Sequence, residues 1–196
     1  MKETILIILF LTIVFVFIYI HSSEVSFYNS ESGEPFLVRN LDDKDKAANL
    51  LLKIKNNLKN LVSTCIKKFD KNDKDLVFLK PYINTIKNKI NFINFRESTD
   101  NSKFTSYSIN KGEEIVFCLR SKIDNKLHDI NEMMYVAIHE IAHVGCPEIG
   151  HTPLFMKINK SILKKAVSFG FYKYKDYNNY PEEYCGIKLS NNILNQ

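Results

Sequence analysis

Three of the five histidines lie within residues 139–151, at a spacing that suits a metal ion. Residues 139–143 read HEIAH, and His151 follows. Positions four apart on an α-helix are separated by slightly more than one turn and about 6 Å, so both imidazoles face a common point. Glu140 lies one position further round, where it can reach a water on the ion without ligating it. The pattern predicts a catalytic zinc site.

A catalytic zinc ion takes three protein ligands and keeps one position open, so His139 and His143 need a third partner. His151 is the candidate, because Gly145, a residue expected just past a helix end, lets the backbone turn back. The alternative third ligands are the carboxylates of Glu148, Glu182 and Glu183. Cys146 could also ligate zinc, but a fourth protein ligand would close the site. His151 could instead cap the next helix.

Other interpretations of these residues remain open. His139 and His143 could be core histidines, although two of them beside Glu140 would then bury three polar groups without partners, which is costly. His128 is expected at the surface or behind the ligands. One tyrosine of the C-terminal tail could donate a hydrogen bond to a tetrahedral intermediate, and the sequence does not select among Tyr172, Tyr174, Tyr177, Tyr180 and Tyr184.

Four helices are predicted from apolar residues that recur at intervals of three and four: 43–69, 80–95, about 129–145 and 152–170. Pro81 is tolerated in the first turn of the second helix. Asp129 or Asn131 can cap the third helix, which carries HEIAH. Pro153 occupies the first position of the fourth helix. The HEIAH segment is therefore expected on a helix that ends shortly before His151.

Strand-forming residues precede that helix. Residues 103–110 and 115–120 flank a turn at Gly112 and predict an antiparallel hairpin. The strand over 115–120 could present an edge to an extended peptide. The tyrosine-rich tail is expected to be irregular. Together these elements predict an α+β fold of helices with a small antiparallel sheet.

Residues 5–20 form an apolar run that only Thr12 interrupts. An uncleaved signal-anchor is favoured over a cleaved signal. A cut after Ser22 or Ser23 would leave a large residue three positions before the cut, where a signal peptidase site has a small one. We therefore expect a membrane segment over 1–23, a linker over 24–41 and the domain over 42–196. We expect a single-pass membrane protein, and the few cations near the run favour a lumenal or extracytoplasmic domain. If the source is a virus, the membrane would be a viral one.

The net charge of +5 arises from 27 Lys and Arg against 22 Asp and Glu. Only three of the cations are arginine, the residue that forks onto phosphates and bases, so the composition argues against nucleic acid as a partner. The four cysteines, Cys65, Cys118, Cys146 and Cys185, are too far apart for a zinc knuckle. They allow two disulfides with three pairings, or buried thiols at Cys65 and Cys118.

The segment HEIAHVGCPEIGHTPLF resembles the active-site segment of the WLM and SprT-like zinc metallopeptidases, particularly the short forms of large DNA viruses. The resemblance extends over residues 135–155. It implies a compact zincin-type domain with one zinc ion on His139, His143 and His151, Glu140 as general base, and a packing role for Phe155. Better-known members process DNA-crosslinked proteins with basic or ubiquitin-binding tails. No such tail is evident here, so their substrate is not carried over.

The sequence thus predicts a membrane-anchored zinc metallopeptidase that hydrolyses peptide bonds in a protein or peptide substrate. Zinc-activated water would attack, and Glu140 would act as the base. The alternatives are a zinc-binding domain without proteolytic activity and a membrane-tethered interaction domain. Glu140 favours catalysis, because a structural site has no need of a base.

Overall fold

The computed structural model describes residues 2–21 and 24–195, and its central element is a mixed five-stranded sheet. The spatial order is β1-β2-β3-β5-β4. The β1–β2 and β4–β5 pairs are antiparallel, whereas β3 pairs in parallel with both β2 and β5. The strands are β1 (Val25–Asn29), β2 (Pro35–Arg39), β3 (Asn94–Glu97), β4 (Tyr107–Ile109) and β5 (Glu114–Phe117). The α+β class and the β4–β5 hairpin are as predicted, but the sheet is mixed rather than antiparallel.

Five α-helices accompany this sheet among the described residues: α1 (Lys2–His21), α2 (Lys44–Lys67), α3 (Lys74–Lys89), α4 (Ile130–Gly145) and α5 (Pro153–Ser168). The helices predicted over 43–69, 129–145 and 152–170 are confirmed as α2, α4 and α5. The apolar stripe of α2 faces the core and packs against β1, β2 and β3 as well as α3, α4 and α5. This packing sets α4 beside the sheet.

The second predicted helix is displaced along the chain. Helix α3 begins at Lys74 because the Asp73 side chain caps it, accepting hydrogen bonds from the backbone of Asp75 at 3.1 Å and Leu76 at 3.0 Å. Pro81 therefore lies inside the helix rather than in its first turn. The end of the predicted range belongs to β3, which the sequence prediction missed.

The segment 24–41 is not a linker, because it forms β1 and β2. Phe36 and Val38 on β2 are buried in the core, and Gly33 occupies the left-handed region in the turn between the strands. Only two apolar side chains of β2 point inward, and polar residues surround them in the sequence. This alternation of apolar and polar residues is too short to predict a strand, because the surrounding segment has the composition of a linker.

No helix within residues 2–21 and 24–195 is both long enough and apolar enough to cross a membrane. The predictions of an N-terminal transmembrane helix and of a single-pass membrane protein with a lumenal domain are therefore wrong. The apolar run of α1, residues 5–20, is shorter than the roughly 20 residues that a bilayer core requires.

The strand predicted over 115–120 is observed as β5, but it has no free edge. It lies between β3 and β4, and Ile115, Val116 and Phe117 are fully buried. The exposed edge on this side of the sheet belongs to β4. The expectation that residues 115–120 receive a peptide is therefore wrong, because the hairpin places β4 outermost.

The C-terminal tail is more ordered than expected. It forms a two-stranded hairpin of β6 (Glu182–Tyr184) and β7 (Ile187–Leu189). A disulfide joins Cys185, in the hairpin turn, to Cys118, directly after β5, with 6.0 Å between the two Cα atoms. Cys65 and Cys146 are free and buried. The protein thus has one disulfide among the described residues rather than two, and of the two cysteines expected as buried thiols only Cys65 is one.

Candidate metal centre and cleft

Helix α4 presents the HEIAH segment from a fixed position. The Asp129 side chain caps the helix by accepting hydrogen bonds from the backbone of Asn131 at 2.7 Å and Glu132 at 3.0 Å. The helix packs against α2, α3, α5 and β4. Gly145 is its last residue rather than a left-handed stop after it. A Cβ at Gly145 would lie 2.9 Å from Ile86, so the glycine permits close packing of α3 on α4.

The structure brings His139, His143 and His151 together around one point. The Nε2 atom of His151 lies 3.0 Å from that of His139 and 3.2 Å from that of His143. In a tetrahedral zinc site with Zn–N bonds of about 2.05 Å, neighbouring ligand nitrogens are about 3.3 Å apart. Two of the three nitrogen–nitrogen distances are therefore close to those of such a tetrahedron, and all three ligand atoms lie within 4.8 Å of one another.

The chemistry of this donor set also fits a cation. Burial, together with the neighbouring imidazoles and, for His143, the Lys111 ammonium, lowers the pKa of His139 to about 3 and that of His143 to about 4. Both rings are therefore neutral at pH 7, the form that ligates metal. Among the described residues, these three histidines are the only group whose ligand atoms converge in this way. The residues present thus fit a three-histidine zinc site.

Two side chains of α5 support the imidazoles. The Phe155 ring is stacked on His143 with 4.0 Å between ring centroids, and its centroid lies 5.0 Å from those of His139 and His151. Phe155 is fully buried, as its expected packing role requires. The Asn159 amide lies 3.3 Å from Nδ1 of His139. With its oxygen turned to the ring, this amide can accept the Nδ1 proton and leave Nε2 for a metal.

His151 is carried by a loop that two residues hold in place. Thr152 caps α5 by accepting a hydrogen bond from the Phe155 backbone at 3.3 Å. The Lys111 ammonium donates to the carbonyl oxygen of Cys146 at 2.8 Å and to that of Glu148. The turn that carries Lys111 packs closely on α4, since a Cβ at Gly112 would lie 2.8 Å from a methyl group of Val144. The loop is thereby attached to the β4–β5 turn.

The other candidate ligands lie outside the histidine cluster. The Glu148 carboxylate accepts from the Thr152 hydroxyl, and Glu182 accepts from Lys175 at 2.7 Å. Glu183 accepts from backbone amides of its own hairpin and of Lys122. Cys146 is buried at the end of α4 with a free thiol. None of them is one of the three residues whose ligand atoms converge.

Glu140 lines the same cavity as the three histidines, although only 4% of it is exposed. Burial raises the pKa of its carboxyl to about 8. Within residues 2–21 and 24–195, no side chain donates a hydrogen bond or forms an ion pair with this carboxylate. A cation held by the histidines would favour the ionised form of this carboxyl, which is the form that can accept a proton from water.

The cavity has a volume of about 640 Å³ and runs along the edge strand β4. It is lined by residues 105–108 and by Tyr135 and Val136 of α4. The hairpin of β6 and β7 contributes Tyr184, Ile187 and Leu189 to the lining. Lys111, Ile149 and Gly150 line it as well. An open edge strand thus passes directly beside the histidine cluster.

Four residues of this site were not identified from the sequence: Ser106, Lys111, Asn159 and Tyr184. Tyr184 was one of five equivalent tail tyrosines, and Ser106 lay within the strand predicted over 103–110 without belonging to any motif. Lys111 and Asn159 reach the site through folding of distant segments. The available signals were weak: a polar Asn159 on the apolar face of α5, and a lysine in a tight turn.

His128, expected at the surface or behind the ligands, is buried and hydrogen-bonded to Glu132 at 3.1 Å.

No protein-family model matches the chain. A curated viral protein matches most of it: uncharacterized protein R325 of Acanthamoeba polyphaga mimivirus is 38% identical over 173 residues, which cover 88% of this chain and 86% of that protein. The chain belongs to the R325 family. Segments of two further viral proteins also match this chain over shorter stretches. Uncharacterized protein 042R of Invertebrate iridescent virus 3 is 42% identical over 67 residues, and uncharacterized protein 136R of Invertebrate iridescent virus 6 is 44% identical over 69.

Each iridescent virus match covers 34% of this chain, and 42% and 38% of the viral proteins respectively. Among solved structures, the crystal structure of Wss1 from Saccharomyces cerevisiae matches 52% of this chain and 84% of its own length, at 19% identity and a TM-score of 0.35. A Wss1 mutant matches with 20% identity and a TM-score of 0.34. Values this low define neither the fold nor the activity of an R325-family protein.

Proposed function

We propose that this R325-family protein is a zinc-dependent metallopeptidase. The observation that carries the proposal is the convergence of three Nε2 atoms, from His139, His143 and His151, in a cavity that also holds the buried carboxyl of Glu140. The resemblance of HEIAHVGCPEIGHTPLF to WLM and SprT-like peptidases supports the same assignment. A structural zinc site would need no unpartnered carboxylate beside it.

The three histidines would hold the zinc ion through Nε2. When bound, zinc supplies a Lewis acid for the scissile carbonyl and lowers the pKa of a water to about 7. Glu140 takes a proton from the attacking water as the water oxygen bonds to the carbonyl carbon. The same carboxyl then gives that proton to the amide nitrogen as the C–N bond breaks. The products are a carboxylate and a free amine.

An extended peptide is the substrate that the cleft fits best. Strand β4 has a free edge and lies along the cavity, so its backbone can pair with a peptide as an added strand. Lys111 is the one cationic residue that lines the cavity among the described residues, and its ammonium already donates to two carbonyl oxygens. A polyanion such as nucleic acid would find no free cation there.

Zinc content tests the ligand assignment. The full chain, expressed and purified without chelator, is expected to contain about one zinc per molecule by inductively coupled plasma mass spectrometry. His151→Ala should lose most of this zinc, because two nitrogens hold the ion far more weakly than three. Glu148→Gln is the matched control on the same loop and should retain it. Undiminished zinc in His151→Ala would transfer the third-ligand role to another residue.

Cleavage of peptide bonds tests the base. Wild-type protein is incubated with an unfolded protein such as reduced casein, and new amino termini are identified by mass spectrometry. Glu140→Gln should keep its zinc and lose at least about 100-fold in rate, because general base catalysis contributes about 10²–10⁴-fold. Equal cleavage by Glu140→Gln would refute the assignment of the base. Zinc-loaded wild-type protein that cleaves no peptide bond would refute the proposed function.

A further inference from the structure

Tyr184 lies in the cavity wall beside the reacting groups. It lines the same cavity as His139 and Glu140. Of the other tyrosines on the tail, Tyr180 is 77% exposed. The Tyr172 hydroxyl accepts a hydrogen bond from Asn192, and the Tyr174 hydroxyl donates to Asn195. Tyr184 is the tail tyrosine that reaches this cavity.

We infer that Tyr184 donates a hydrogen bond to the carbonyl oxygen of the scissile peptide as negative charge develops on it. The inference rests on the proposed peptidase function and assigns it a second catalytic residue. A hydrogen-bond donor that is fixed in place before the reaction stabilises developing charge without paying for reorganisation. The surroundings of the Tyr184 phenol meet this requirement.

Several interactions fix the position of the phenol. Its hydroxyl lies 2.6 Å from the Ser106 hydroxyl, and its ring lies 4.9 Å from that of His128. The Nε2 atom of His128 accepts a hydrogen bond from the Cys185 backbone at 3.4 Å, and Nδ1 is bonded to Glu132. The disulfide anchors the neighbouring residue, Cys185, to the end of β5. The side chain is therefore held from both of its ends.

The hydrogen-bond pattern leaves the phenol proton available. The Ser106 oxygen accepts a hydrogen bond from the Cys118 backbone at 3.1 Å, so its hydroxyl hydrogen can be donated to the Tyr184 oxygen. In that arrangement, the phenol proton points away from Ser106. Burial also raises the pKa of Tyr184, so the group remains a donor at neutral pH and keeps its proton throughout the reaction.

Two other tyrosines line the cavity and are less suited to this role. The Tyr135 hydroxyl donates to the Asn191 carbonyl oxygen at 3.4 Å and accepts from the Ile193 backbone at 3.3 Å. Tyr107 lies on the edge strand with its ring against the exposed Phe104, 5.5 Å between centroids. The Tyr135 hydroxyl thus already makes two hydrogen bonds, and the Tyr107 ring packs against an exposed side chain.

The test is Tyr184→Phe in the zinc-loaded full chain, with Tyr180→Phe as the matched control from the same tail. Tyr184→Phe should lower kcat by about 100-fold, the usual effect of removing one such donor, and leave KM within about threefold. Zinc content should not change. A phosphinic peptide, whose tetrahedral oxygens resemble the reacting carbonyl, should bind more weakly by a similar factor in calorimetry, whereas the product peptide should bind equally well.

Each of these measurements can overturn the proposed role of Tyr184. A kcat within threefold of wild type, or unchanged affinity for the phosphinic peptide, overturns the assignment of Tyr184. An equal loss of affinity for the phosphinic and product peptides also overturns it, because the residue would then serve binding alone. A loss confined to Tyr107→Phe would give the role to that residue. The affinity for the inhibitor is measured without turnover, so it tests the role of Tyr184 independently of the proposed peptidase function. That function is tested by the cleavage assay with wild type and Glu140→Gln.

Discussion

Replacement of the Cys118–Cys185 disulfide by two alanines should strongly destabilise the protein. The two cysteines are separated by 67 positions in the sequence, so the bond restricts a long loop of the unfolded chain. The loop-closure relation for a disulfide gives about 4.4 kcal/mol at 25 °C for this separation. That is a large fraction of the roughly 5–15 kcal/mol that typically separates the folded from the unfolded state of a domain.

Urea unfolding followed by circular dichroism measures the effect. We expect Cys118→Ala/Cys185→Ala to lose about 3–5 kcal/mol in the free energy of unfolding, and about 10–15 °C in Tm. The urea m-value should rise, because an unfolded chain without the cross-link exposes more surface. A reductant should then have no further effect on the double variant, whose remaining cysteines, Cys65 and Cys146, are free thiols already.

Two results would refute this reasoning. A loss below about 1 kcal/mol would show that the bond hardly restricts the unfolded chain. A large loss with an unchanged m-value would place the effect in the packing of the native hairpin instead. Activity provides a second measurement, since Tyr184 precedes Cys185 and should lose its fixed position along with the bond.

Three further substitutions test other parts of the fold. In urea unfolding, Gly112→Ala should lower the free energy of unfolding by about 2 kcal/mol more than Gly33→Ala does. Both glycines have positive φ, but only Gly112 faces a side chain of α4. Equal losses of stability in the two variants would contradict this reasoning. Arg120→Met should lower the free energy of unfolding by about 3–5 kcal/mol at pH 7, because it leaves the buried Glu97 carboxylate without its 2.8 Å ion pair. A loss below about 1 kcal/mol would contradict this role of the ion pair. A lysine hydrogen bond lowers the pKa of Asp73, so its charge favours the fold above about pH 4 and stops doing so as pH falls through the folded-state pKa. The difference in unfolding free energy between wild type and Asp73→Asn should therefore shrink as the pH falls below about 4, and a constant difference would exclude the charge as its cause.

The helices were largely predictable because their signals are local. The apolar stripe of α2 repeats over many turns, and α4 and α5 have a capping residue at each start, Asp129 and Thr152. The approach of His151 to the two helical histidines followed from a short loop between α4 and α5. Each of these inferences depends on residues close together in the sequence.

The remaining features depend on contacts between distant segments. Strands β1, β2 and β3 have at most five residues each, and their pairing brings residues near 37 beside residues near 96. Four cysteines allow more than one pairing, and only the position of the tail hairpin selects Cys118 with Cys185. Tyr184 differs from the other tail tyrosines for the same reason. A single sequence contains no signal for such long-range choices.

The shortness of β4 limits how much of a substrate the protein can recognise. The strand has three residues, Tyr107–Ile109, which extend over about 10 Å. A segment of that length can be matched by many sequences but is seldom fully extended and accessible within a folded protein. For a peptidase built this way, the selection of targets would depend less on sequence than on which proteins unfold locally or expose a flexible terminus. Partly unfolded proteins would then be cut much faster than their native forms.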